Sequence, residues 1–80
     1  MDRAAVKEAR RLLWESYQAE LAAIETRIAR AQRRKEELRE ELRQAGKADR
    51  AALLQELSEI EWYIEYCQNR KVERKEIYSL

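Results

Sequence analysis

Sixteen carboxylates, seventeen Lys and Arg side chains and a single thiol are the reactive groups of this 80-residue chain. Paired carboxylates could do general acid–base work if a shaped, dry cleft gathered them. Their spacing argues otherwise. Glu36, Glu37, Glu40 and Glu41 are interleaved with Arg33, Lys35, Arg39 and Arg43, mostly three or four residues apart. That is the pattern of ion pairs on a solvated helix face. The chain has no His, so imidazole is missing as base, proton shuttle or metal ligand. The Glu-x-x-His signature of metal-binding helical bundles is missing with it. The expectation is a non-enzyme, with no cofactor and no metal.

Cys67 is the lone cysteine, which rules out an internal disulfide and suits a reducing compartment. With no His beside it and only Lys71 one turn on, it reads as a small buried hydrophobe and not as a nucleophile.

Two basic clusters could meet phosphate. One is Arg27, Arg30, Arg33, Arg34 and Lys35. The other needs folding to bring Arg3, Lys7, Arg10 and Arg11 towards Arg70, Lys71, Arg74 and Lys75. Residues 1–15 and 68–80 together carry a net charge of +3. Aromatics are not interleaved with these positions, as base stacking would require. Basic residues in a last helical turn also complement the helix dipole.

The elements that position these groups follow from the hydrophobic pattern. Charged residues make up 41% of the chain and apolar ones 45%, with one Gly and no Pro. That composition suits long helices with salt-bridged faces, and regular apolar spacing argues against disorder. Net charge is +1, so no global field draws the molecule to nucleic acid or membrane. No apolar run approaches a membrane span, and the first residues lack the apolar stretch of a signal peptide. A cytoplasmic protein is expected.

A first stripe runs Trp14, Tyr17, Leu21, Ile24, Ile28, Ala31, Lys35, Leu38, Leu42, Ala45 at spacings of three and four. Lys35 is its one charged member. A second runs Leu53, Leu57, Ile60, Ile64, Cys67, then turns basic at Lys71 and Arg74 before Tyr78. Such spacing puts each set on one side of an α-helix. Between them lies Gly46, favoured past a helix end because it enters the left-handed region freely. Asp49 is a good N-cap for the second helix.

These signals predict an all-α protein of one domain: a two-helix antiparallel coiled-coil hairpin, with helix 1 about 3–45, a loop at 46–48 and helix 2 about 49–78. Register supports it. Positions whose numbers sum to 95 pair the stripes throughout: Leu42 with Leu53, Leu38 with Leu57, Ile28 with Cys67, Tyr17 with Tyr78. Glu56, Glu59, Glu61 and Glu65 then oppose the first basic cluster. The rival is one unbroken helix in a parallel coiled coil, since a lone Gly costs only about 1 kcal/mol.

Apolar residues remain after the seam is filled. Ala5, Ala9, Leu12, Ser16, Ala19, Ala23 and Thr26 repeat on another side of helix 1, and Trp62 and Tyr66 sit one turn apart on helix 2. Small residues allow close helix approach, and aromatics are enriched at interfaces. Leu13 and Tyr63 flank the seam, while Val72, Ile77 and Leu80 follow neither stripe. The expected partner is a second copy, giving a homodimeric four-helix bundle, with another helical protein as a further possibility. The interface residues are Leu12, Ala19, Ala23, Trp62 and Tyr66. The alternative is a small nucleic-acid-binding regulator using Arg10, Arg11, Arg70, Lys71 and Arg74.

Three resemblances bear on this. The architecture is similar to small plasmid regulators whose hairpins dimerise and bind RNA, a likeness of fold alone. The stretch Leu54-Gln55-Glu56-Leu57-Ser58 resembles the Ser-Gln-Glu-Leu-Asp pattern of helical-hairpin phosphatases in sporulation signalling. Ser58 stands where that family's functional acid would be. The end of helix 2 is loosely similar to helical regions of phage-type transcription activators. None of the three assigns a family.

Overall fold

The computed structural model describes residues 2–79 and contains two helices, α1 (Arg3–Gln44) and α2 (Lys47–Ser79). Leu80 lies outside the described residues. Neither helix carries an internal Gly or Pro, so nothing interrupts either hydrogen-bond ladder. Asp2 caps α1: its backbone is extended and its carboxylate accepts from the Ala4 N–H at 3.0 Å.

The chain reverses over Ala45 and Gly46 alone. Ala45 is extended, with φ −77° and ψ 142°. The Gly46 carbonyl accepts from the N–H groups of Asp49 and Arg50 at 3.1 and 3.2 Å, starting α2. The corner is thus shorter than the predicted loop at 46–48, and α2 begins two residues before Asp49. Asp49 does not cap; it sits in the first turn, where its charge complements the helix dipole. Gly46 does not take a positive φ. An extended Ala45 makes the turn, so the left-handed conformation is not needed. Across the corner, Arg50 donates from Nη1 to the Leu42 carbonyl at 3.2 Å and so satisfies one orphan group of the α1 terminus.

The helices pack antiparallel in the expected register. Tyr17 and Tyr78 stack with ring centroids 5.0 Å apart. The buried residues are Ile24, Ile28, Ala31 and Leu38 of α1 and Ile64 and Cys67 of α2, all from the two stripes. Leu38 is fully enclosed. Lys35, the seam's charged member, keeps its stem in the seam and reaches Glu61 at 3.8 Å. Three more ion pairs tie the helices: Arg34–Glu56 at 3.0 Å, Lys71–Glu25 at 3.4 Å and Arg74–Glu20 at 3.3 Å. All are partly exposed, so they favour this register more than they add stability.

The hairpin measures 68 × 16 × 11 Å, with a radius of gyration of 19.2 Å. A globular chain of this length would have about 12 Å. Ser79, the last described residue of α2, lies level with Ser16 of α1.

Enclosure at Leu38 predicts a large truncation effect. Leu38→Ala should destabilise by about 2–5 kcal/mol, while Leu54→Ala, at an exposed position, should stay within about 0.5 kcal/mol. Denaturant unfolding at one fixed protein concentration measures both.

Candidate interaction surface

Several large apolar side chains stay exposed on the hairpin. Leu12, Leu13, Trp14, Leu54, Trp62, Tyr63, Tyr66, Val72, Ile77 and Tyr78 are all exposed, Trp62 most of all at 66%. The five predicted interface residues, Leu12, Ala19, Ala23, Trp62 and Tyr66, are all on the outside. Helical phase at about 100° per residue puts the small-residue stripe about 150° around α1 from the buried stripe, nearly opposite the seam. The Glu20–Arg74 bridge marks the flank between the two stripes. Tyr66 and Ile77 lie on that flank of α2, and Trp62 points further out.

Trp62 and Tyr66 form a stacked pair, with centroids 5.6 Å apart and planes at 12°. Arg70 extends the stack: its guanidinium lies 5.9 Å from the Tyr66 ring and donates to the phenol oxygen at 3.4 Å. That contact, before any charge effect, raises the Arg70 pKa further above its ordinary value. Helical spacing of four and four explains this ladder. The aromatic pair is legible from its spacing, and the same spacing would add Arg70. Beside it, the Tyr63 phenol ionises above its usual range, chiefly through its contact with the Cys67 thiol and secondarily through partial burial.

A second aromatic group closes the open end. Trp14 lies 5.8 Å from Tyr17 and 5.3 Å from Tyr78, so three rings meet where the stripes finish. Leu13, Ile77, Arg10 and Arg74 line an open groove next to them. This groove joins Leu12's end of the small-residue stripe to the end of α2.

The residues of the nucleic-acid alternative are dispersed. Arg11 pairs with Glu8 and Glu15 on its own helix. Lys71 and Arg74 are held by Glu25 and Glu20, and Arg70 by Tyr66. Arg10 and Arg74 line one groove. In the first basic cluster, Arg34 binds Glu56, Glu37 and Glu41, and the Glu56 contact is the largest cause of its raised pKa. Arg27, Arg30 and Arg33 have no carboxylate within ion-pair distance among the described residues. The opposing acidic block therefore neutralises only part of that cluster.

The carboxylates that might have done chemistry are exposed and engaged with arginines: Glu36 with Arg39, Glu40 with Arg43, Glu37 and Glu41 with Arg34. Ser58 lies on the exposed side of α2. No helix among the described residues is long and apolar enough to cross a membrane. Comparison with family models, curated proteins and solved structures finds no match to this chain.

Cys67 is buried at 3% exposure. Its alkylation should be about tenfold or more slower in the folded protein than in denaturant, because the seam must open first. Labelling kinetics followed by mass spectrometry test this.

Proposed function

We propose that this chain is a non-enzymatic assembly module that works through helix-on-helix contacts, its first partner being a second copy of itself. The observation that carries the reading is the surface the fold leaves bare. The hairpin exposes 6694 Å², whereas a compact monomer of its 9.6 kDa mass would expose about 5,100 Å². The excess, about 1,600 Å² per chain, is about twice the 800 Å² that each partner contributes to a standard protein–protein interface. Leu12, Trp62 and Tyr66 are among the exposed large apolar side chains on that surface, with Ala19 and Ala23 also exposed. Small residues on one helix and large rings on the other are self-complementary in size. Two hairpins joined this way make a four-helix bundle. The buried free thiol of Cys67 favours a reducing, cytoplasmic setting.

A nucleic-acid role is the second reading, favoured by Arg27, Arg30 and Arg33 lying level with the exposed Trp62–Tyr66 ladder. The carboxylate partners of Arg11, Lys71 and Arg74 weigh against the open end as its site.

The protein should sediment as a dimer at micromolar concentration. Trp62→Glu should weaken association at least about tenfold, as loss of an exposed aromatic anchor does, with helicity retained by circular dichroism. Unchanged sedimentation would remove this face as the interface. Salt-dependent retention of structured RNA by the wild type, lost in an Arg27→Ala/Arg30→Ala variant, would move the reading to the alternative.

A further inference from the structure

We infer that the seam is also an intermolecular surface: two copies can open at Ala45–Gly46 and exchange arms, forming one long antiparallel rod. Such exchange is distinct from the lateral assembly proposed above and does not depend on it.

The pairing rule is the basis. Contacts across the seam cluster about one register: Tyr17 and Tyr78 have numbers that sum to 95, and Lys35–Glu61, Lys71–Glu25 and Arg74–Glu20 fall within one residue of it. That pattern is symmetric about the corner. If α1 continued straight into α2, a second chain laid antiparallel would offer the same partners in the same order. Ile24, Ile28 and Ala31 would meet Ile64 and Cys67 of the other copy. Lys35–Glu61, Lys71–Glu25 and Arg74–Glu20 would all re-form between chains. Exchange of an identical element therefore forfeits none of the seam.

The corner offers little resistance. At Ala45, φ is −77° and only ψ, at 142°, departs from helical values. Gly46 has no positive φ to lose, and a Cβ built there meets nothing within 4 Å. The corner's distinctive hydrogen bond, from Arg50 to the Leu42 carbonyl, would be replaced by the helical bond that the same carbonyl then accepts from the Gly46 N–H. Near the two-fold axis, Asp49 of each copy comes level with Gly46 of the other and sets a carboxylate beside the two Lys47 side chains.

Two effects hold the hairpin closed: the entropy of association, and Gly46, which is the poorest helix former present. Exchange is therefore driven by concentration. The rod would be about 130 Å long at 1.5 Å per residue, against 68 Å for the hairpin. It would carry residues 3–9 of the two copies at opposite ends.

The test uses Tyr17→Cys/Tyr78→Cys in the full chain with Cys67→Ala and Trp62→Glu, the last to suppress lateral assembly. Oxidation then joins 17 to 78 within one chain if closed, or between chains if exchanged. The between-chain fraction should rise with concentration. Gly46→Ala should shift it to about 30-fold lower concentration, since the substitution acts in both copies. Gly46→Pro should confine it to within the chain, because Ala45 already has the extended backbone that precedes proline and proline blocks the continuous helix. Purely intramolecular linkage in Gly46→Ala at every accessible concentration would overturn the inference. Between-chain linkage as ready in Gly46→Pro as in Gly46→Ala would overturn it too. Neither outcome bears on the lateral contact, which sedimentation reads separately when Gly46→Pro, which blocks exchange, is compared with Gly46→Pro/Trp62→Glu.

Discussion

The seam between the helices is the constraint on which the other features rest. Only six side chains among the described residues are buried, and all of them lie in it. Two helices have one mutual face, so an apolar residue outside that face has nowhere inside the monomer to go. The extent of the bare surface follows directly. So does the shape, since without a third element the chain stays a thin bar with an exposed outer side on each helix.

Charge acts within this frame and does not create it. The four inter-helix ion pairs straddle one register, and each is partly open to water. A shift of one helical turn would keep the apolar stripes facing each other, with one layer fewer, but would set glutamates of α2 against different residues of α1. Apolar burial supplies most of the free energy, and the charges make alternative alignments less favourable. Lys35 shows the two working together: its stem lies among apolar neighbours while its ammonium reaches Glu61.

Much of this architecture is legible in the residues because helical periodicity is a strong signal when runs are long. The stripes, the register and the outward placement of Trp62 and Tyr66 all follow from spacings of three and four. The corner is less legible. The commonest roles of Gly46 and Asp49 are a left-handed terminus and a cap. The chain instead turns with an extended Ala45 and uses a glycine carbonyl to start α2. Several backbone solutions reverse a chain between two helices, and residue type discriminates weakly among them. The basic clusters are harder still. Arg33 and Arg34 lie about 100° apart on α1, and Arg34, beside the seam, is the one that reaches Glu56; which further carboxylates it gathers depends on rotamers that a stripe pattern does not resolve. Arg70 has the sequence context of a free cation, yet it extends an aromatic stack.

Residues 3–9 of α1 lie beyond the described part of α2, and Asp2 at their start supplies a cap. A single turn-by-turn ladder in water, even a capped one, unwinds and re-forms readily at such a length. Amide protons there would trade with solvent much faster than those near Leu38. Any binding event that laid a neighbour along this segment would slow that trade. The start of α1 is thus a built-in reporter, silent when the hairpin is alone and protected when it has company.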